Sequence, residues 1–137
     1  MSPHPGSSLL AQAPFWRRLG LELLEAEAGR ARVRLALSAG DSVSGGLLAS
    51  LVDAALGAAL RSLLEPQERA VTLNLHLGAV GESRAALWLG AEACAERRAP
   101  DLGWGRARVS DSSGALLVEG SATFFVTGSS RADARRA

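Results

Sequence analysis

Apolar residues recur at two different spacings along this chain, and the change of spacing divides it into elements. Ala31, Val33, Leu35 and Leu37 alternate with Arg30, Arg32 and Arg34, the period of two that marks a half-buried strand. Ahead of them, Leu21 to Glu27 leads into Ala28-Gly29. A two-residue turn there sets Glu27 opposite Arg30 and Glu25 opposite Arg32, cross-strand pairs that support the register by about a few tenths of a kcal/mol each. Upstream, Leu9 to Leu19 predicts a short helix or turn with Phe15 and Trp16 as its apolar anchors.

From Gly46 to Leu64 the spacing becomes three and four. Leu48, Val52, Ala55, Leu56, Ala59, Leu60 and Leu63 form one broad helical stripe. Ser44 stands where an N-cap is wanted, and Pro66 stops the helix just past its last turn. The period of two then returns. Val71, Leu73, Leu75 and Leu77 alternate with Thr72, Asn74 and His76, and Ala85 to Ala93 alternate with a mixed set that includes Trp88, Glu92 and Cys94. Segments around Trp104 to Ser110 and Leu116 to Val126 are joined by Asp111-Ser112-Ser113-Gly114, a good turn composition. The order is a hairpin, one long helix, then a three- or four-stranded antiparallel meander. A sheet with one apolar face needs a cover, and the single apolar helix supplies it. The pattern predicts an α+β fold in which a curved antiparallel sheet of five to six strands wraps one central helix.

Composition narrows the partners. The 137 residues make one domain, with polar ends expected to fray over residues 1–8 and 128–137 around a domain at 9–127. A formal charge of +1, with fifteen scattered arginines and no lysine, gives no basic stripe for nucleic acid. Cys94 is alone, which excludes an intrachain disulfide and a cysteine-based zinc site. With nothing in sequence to activate it, it reads as a small packed residue. The apolar stretch 46–64 contains Asp53 and Arg61, each costing about 2.5–3.5 kcal/mol at mid-membrane depth. The start of the chain lacks the pattern of a signal peptide, and the expectation is a soluble, cytoplasmic protein with no cofactor, metal, membrane or nucleic-acid partner.

The few polar residues of the long helix carry the chemistry. With Val52 at the centre of the apolar stripe, Asp53 falls about 100° round from it, and Gly46 and Gly57 lie near Asp53 on the same margin. An interior helical glycine costs about 1 kcal/mol relative to alanine, so Gly57 points to close approach of a ligand or another backbone. The loop Asp41 to Gly46 delivers the helix N-terminus, where unpaired N–H groups and the helix dipole attract a carbonyl oxygen or an oxyanion. Ordinarily a helical aspartate is a solvated residue, a Ser-Gly-Gly loop a cap, and His76 a surface histidine. Ser44, Asp53 and His76 lack the G-x-S-x-G elbow that would make them a triad.

Pro14 to Gly20, the hairpin, Ser44-Gly45-Gly46-Leu47-Leu48-Ala49-Ser50-Leu51-Val52-Asp53, Thr72 to Leu77 and the closing Gly120 to Val126 together resemble the PaaI-type hotdog thioesterases, over residues 14–127. The resemblance implies an acyl-CoA thioesterase acting on a small aromatic or other acyl thioester. In such enzymes the backbone N–H of the residue matching Gly45 polarises the thioester carbonyl. The acid matching Asp53 is general base or nucleophile, and a hydroxyl matching Thr72 positions the water or the acid. Gly46, Gly57 and Asn74 fall among the substrate contacts, and Arg97 and Arg98 stand where basic residues meet the phosphates of CoA. The site is shared across a homodimer, Asp53 of one chain working with Gly45 of the other, and Trp88, Trp104 and Phe125 on the opposite strand faces point to a homotetramer. Two positions depart from the pattern: the histidine of the loop is Ser44, and the upstream asparagine falls at Ser38. The competing reading is a non-catalytic hotdog that binds an acyl thioester of CoA or of an acyl carrier protein. A hotdog dehydratase is a third, weakened because only His4 and His76 are present.

Overall fold

A computed structural model describes residues 4–38, 41, 43–82 and 87–128. Two short helices, α1 (Pro5–Ala11) and α2 (Pro14–Leu19), precede the hairpin of β1 (Leu21–Glu27) and β2 (Arg30–Ala36). The long helix α3 (Gly45–Arg61) follows, then β3 (Arg69–Ala79), β4 (Trp88–Ala99), β5 (Leu102–Asp111) and β6 (Leu116–Thr127). The six strands form one antiparallel sheet in the order β1-β2-β4-β5-β6-β3, curved around α3. This is the sheet around one central helix that the pattern predicts, and the hotdog architecture that the resemblance implies.

The hairpin forms at the expected register, with Glu27 opposite Arg30 and Glu25 opposite Arg32. Ala28 and Gly29 both take positive φ, 50° and 81°, as a tight primed turn requires. A Cβ on Gly29 would stand 2.6 Å from the Ala95 carbonyl oxygen, so only glycine fits there.

Helix α3 presses its apolar stripe on the sheet. Leu51, Val52, Ala55, Leu56, Ala59 and Leu60 are wholly buried, and at about 25 cal/mol per Å² of apolar surface this face dominates the stability of the fold. The approach is close because the sheet has bare backbone beneath it. A Cβ on Gly105 would lie 2.7 Å from Leu56, and one on Gly120 would lie 2.8 Å from Val52.

Three expectations are corrected. The N-terminal stretch 1–8 is not all tail. Helix α1 starts at Pro5, and Ser7 is completely buried with its hydroxyl donating to the Ala58 carbonyl at 2.8 Å. Of the expected C-terminal tail, only Gly128 is among the described residues. The last four strands do not run side by side in chain order, because β3 leaves α3, crosses to the far edge and pairs with β6. The alternation along β3 is also broken. Its register shifts between Thr72 and Asn74, so Leu75 and Leu77 pack on the core while Val71 and Leu73 stay 57% and 59% exposed. A bulge inserts one residue and exchanges the faces on either side of it.

Cys94 faces outward and is exposed, because on β4 the inward positions belong to Leu89, Ala91 and Ala93. Ala85, read as the start of this strand, lies outside the described residues. Trp88, Trp104 and Phe125 are each half-buried. The guanidinium of Arg34 stacks on Trp88 at 4.2 Å, and that of Arg98 on Trp104 at 4.3 Å. Among the described residues, no helix is long and apolar enough to cross a membrane.

Candidate active site

The bulge in β3 has a local consequence: it turns Thr72 inward while its neighbours Val71 and Leu73 point out. Thr72 Oγ1 then donates a hydrogen bond of 2.8 Å to Asp53 Oδ1. Asp53 is half-buried at the margin of α3, where the apolar stripe ends. Among the described residues no arginine forms an ion pair with it. The carboxylate is therefore held in place by a neutral hydroxyl, and its charge is not cancelled.

Beside Asp53 opens a cavity of about 560 Å³, within the range of roughly 300–1,000 Å³ typical of small-molecule pockets. Its walls are Leu9, Leu10, Phe15 and Trp16 from the two N-terminal helices, Gly57 of α3 and Phe124 of β6. At its other end lie Arg61 and Arg69. Both donate to backbone carbonyls, of Pro66 (3.0 and 3.1 Å) and of Glu68. Burial, and then the charge of Arg69 beside it, lowers the pKa of Arg61 from its ordinary value.

The start of α3 is the second polar element. Ser44 is its N-cap, and its Oγ accepts from the Leu47 N–H at 3.2 Å. Gly45 and Gly46 occupy the first helical positions and are exposed, and a Cβ on Gly45 would meet nothing within 4 Å. Their N–H groups find no acceptor among the described residues, which leaves bare donors at the positive end of the helix dipole. Asp53 is eight residues further along the same helix, about 12 Å at 1.5 Å per residue. One carbonyl cannot touch Gly45 and Asp53 of a single chain.

The remaining sequence-predicted residues divide. Gly57 lines the cavity one turn after Asp53. Ser38 is exposed, its N–H donating to Asp41 Oδ2 at 2.6 Å, while Ser42 of the same loop is outside the described residues. Asn74 and His76 lie past the bulge on the outer face of β3 and are exposed, away from the Asp53 of their own chain. Arg97 is taken up by Glu68, which is 1% exposed. The guanidinium donates to both carboxylate oxygens (2.8 Å to Oε1) and to the Pro100 carbonyl at 2.6 Å. That bond to Glu68 raises the pKa of Arg97 above its ordinary value. Arg98 is exposed and donates to Glu96 at 2.6 Å.

Sequence reasoning missed Glu68 altogether, since its partner stands 29 positions away on β4. It also read Phe15 and Trp16 only as anchors and gave Leu9 and Leu10 no part in a site. The signal for the four was their apolar character in a segment too short to make its own core. Among the described residues, no group of three or more His, Cys, Asp and Glu side chains could hold a metal ion.

No protein-family model matches the chain, and no curated protein matches it. Solved structures do. An X-ray structure of a protein from the thioesterase superfamily is 27% identical, covering 88% of this chain and 94% of that one, at a TM-score of 0.75. A point mutant of the phenylacetic acid degradation protein PaaI from Thermus thermophilus is 24% identical, covering 82% of this chain and 98% of that one, at 0.70. A hypothetical thioesterase from Streptococcus pneumoniae, solved with coenzyme A, is 18% identical, covering 80% and 87%, at 0.68. The fold of this chain is that of the PaaI-like hotdog thioesterases.

Proposed function

We propose that this chain, with the hotdog fold and its likeness to thioesterase-superfamily proteins over most of its length, hydrolyses an acyl-CoA thioester with Asp53 as general base. The observation that carries the reading is the Asp53 carboxylate, fixed by Thr72 at 2.8 Å, uncancelled by any arginine among the described residues, and set at the edge of an apolar cavity. The Asp53 carboxylate takes a proton from a water as the water oxygen attacks the thioester carbonyl carbon. The electron pair moves to the carbonyl oxygen, which is met by the bare N–H of Gly45; such a donor contributes about 2.7–4 kcal/mol of transition-state stabilisation. Collapse of the tetrahedral oxyanion breaks the C–S bond. The proton held by Asp53 passes to the leaving thiolate, and a carboxylic acid and free CoA depart. General base assistance of this kind contributes about 10²–10⁴ in rate.

The Gly45 donor must come from a second copy, because about 12 Å of helix separates Gly45 from Asp53 within one chain. Strand β3 offers the means to bring a second copy near. It is an edge strand, with Val71 and Leu73 exposed on it, and an unprotected apolar edge is a template for pairing. The proposed working unit is therefore a homodimer paired at this edge, doubled into a tetramer through the half-buried tryptophans of the outer face. Size-exclusion chromatography with light scattering is expected to give a mass of two or four chains. A monomer overturns the shared site.

The coenzyme A bound to the Streptococcus pneumoniae neighbour supports CoA as the carrier. The deciding experiment is free-thiol release from aromatic, short-chain and long-chain acyl-CoAs, with Asp53→Ala run in parallel. Turnover that disappears in the variant establishes the hydrolase and identifies its acyl class. Binding without Asp53-dependent release establishes instead the non-catalytic reading. What favours that second reading is Ser44, whose hydroxyl is spent on the Leu47 N–H at the position where the resemblance implies a histidine.

A further inference from the structure

Asp53, Gly57 and Arg61 follow one another at intervals of four, so they line one edge of α3, and Arg69 opens the strand that carries Thr72. The cavity between these elements has a polar pair at each end, Asp53 with Thr72 and Arg61 with Arg69. From Asp53 to Arg61 is about 12 Å along the helix axis. A guanidinium presents N–H groups on Nε, Nη1 and Nη2. At Arg61, Nη1 and Nη2 each donate to one carbonyl, and at Arg69 Nη1 donates to two. Arg61 Nε, Arg69 Nε and Arg69 Nη2 find no acceptor among the described residues. Gly6 lines the cavity against Arg61, and a Cβ there would stand 3.0 Å from Arg61 Nε. The bare glycine therefore leaves that N–H uncovered.

Neither arginine forms an ion pair among the described residues. Glu68, whose backbone carbonyl both of them hold, gives its carboxylate to Arg97. Burial, and then the charge of Arg69, lowers the pKa of Arg61 from its ordinary value, against the smaller opposing pull of Glu68. One anion bridging the two guanidiniums would relieve their repulsion, and a carboxylate suits them because its two oxygens accept parallel N–H bonds. Between the two ends the walls are Leu9, Leu10, Phe15, Trp16 and Phe124. The amides of a pantetheine arm would lose their water against such walls, whereas methylenes gain by burial there. We infer, resting on the thioester-hydrolase reading, that Arg61 and Arg69 form an anion subsite for the terminal carboxylate of an ω-carboxyacyl thioester whose methylenes cross the apolar walls. The half-thioester of a linear dicarboxylic acid is the substrate class this selects.

The test is calorimetric binding of carbadethia acyl-CoA analogues, in which CH₂ replaces the sulfur and leaves no thioester to cleave. Succinyl, adipyl and suberyl analogues are paired with butanoyl, hexanoyl and octanoyl, which match them in carbon number and lack the second carboxylate. Wild type is expected to bind adipyl and suberyl about tenfold or more tighter than their neutral partners. Succinyl, too short for the span, should show no such gain over butanoyl. Arg69→Gln should remove most of the gain, and Arg69→Lys, which keeps the charge, should retain part of it. Hexanoyl binding should be unchanged in both. Arg61→Gln should act like Arg69→Gln; if it fails to melt cooperatively, the exposed Arg69 decides. No gain in wild type, or a gain that survives in folded Arg69→Gln, overturns the inference even where Asp53-dependent hydrolysis of neutral acyl-CoAs is found. Equal weakening of every analogue and of free CoA in Arg69→Gln also overturns it, because the pair then holds a coenzyme phosphate. The expected gain without Asp53-dependent thiol release from adipyl-CoA or suberyl-CoA overturns the hydrolase reading and keeps the anion subsite. Binding of none of the analogues overturns both.

Discussion

Two carboxylates lie against the inner side of this sheet, beside α3 and the segment that leaves it, and the molecule treats them in opposite ways. Glu68 is 1% exposed and is saturated: Arg97 grips both of its oxygens, and the Glu65 N–H donates to Oε1 at 2.9 Å. Asp53 is half-buried and has one neutral hydroxyl. Glu68 joins the segment after α3 to the end of β4, closing the sheet over the helix. Its charge is consumed in doing so. Asp53 stands where the core gives way to a cavity, and its charge remains available. Burial alone would have ranked Glu68 first as a functional acid. The partners reverse that order, because a group that must accept a proton during a reaction needs a free lone pair, and a fully bonded one has none to offer.

The largest effect that can sharpen this contrast is on the reactive member. Asp53→Asn keeps the size of the side chain and its contact with Thr72 but removes the base. Turnover of the preferred acyl-CoA is expected to fall by about 10²–10⁴, measured as thiol release, with little change in the thermal midpoint. A large drop in that midpoint would mean that Asp53 is a structural acid like Glu68.

Glu68→Ala is the mirror experiment. It leaves the Arg97 guanidinium without its buried partner, a loss of about 3–5 kcal/mol, which lowers the midpoint by roughly 10–20 °C in a domain of this size. Arg97→Ala should cost a similar amount for the same reason. If Arg97→Ala instead raises KM for acyl-CoA and leaves the midpoint alone, its place is with the coenzyme phosphates and the contrast breaks. Next in size is Thr72→Val, which keeps the shape and removes the hydroxyl. A hydrogen bond to a charged group contributes about 1.5–3 kcal/mol, so kcat should fall roughly ten- to a hundredfold with Thr72→Ser restoring most of it. A Thr72→Val enzyme that has lost nothing would leave Asp53 positioned by packing alone.

The same contrast marks what could be read from the sequence. The β1–β2 turn, its register, the N-cap at Ser44 and the apolar stripe of α3 depend on residues within a few positions of one another, and they are found where the spacing puts them, except that the helix ends at Arg61 and leaves Leu63 in the turn beyond it. Asp53 was legible for a related reason: it is one of the few polar residues of an apolar helix and sits at the margin of the stripe, which is itself local information. Glu68 was not. Nothing in Glu65-Pro66-Gln67-Glu68 distinguishes it from an exposed loop acid until β4 brings Arg97 across. The β3 bulge was equally hidden, because Val71 to Leu77 alternate without a flaw and the register shift that divides them comes from pairing with β6. The position of β3 beyond β6, which frees its edge for a partner, is a property of the whole sheet.

Helix α3 itself has one closed end and one open end, and the smallest of the expected effects tests the open one. At the C-terminal end the Ser62 hydroxyl donates to the Ala59 carbonyl of the helix and accepts from the Gly29 N–H of the hairpin, and Arg61 donates to carbonyls of the segment that follows. At the N-terminal end only Ser44 Oγ serves, capping Leu47 and leaving Gly45 and Gly46 bare among the described residues. Ser44→Ala should cost about 1 kcal/mol, or roughly 3–4 °C of thermal midpoint. Because the cap also holds the first turn that presents the Gly45 N–H, kcat should fall with it, by less than in Thr72→Val. Ser44→Asp, an equally good cap, should recover the midpoint. It also sets a negative charge beside the proposed oxyanion donor, where like charge raises the energy of the tetrahedral intermediate. The two readouts should therefore part company: stability restored, turnover lower still. If both recover together in Ser44→Asp, no oxyanion forms near this helix end, and the bare donors of α3 belong to binding and not to catalysis.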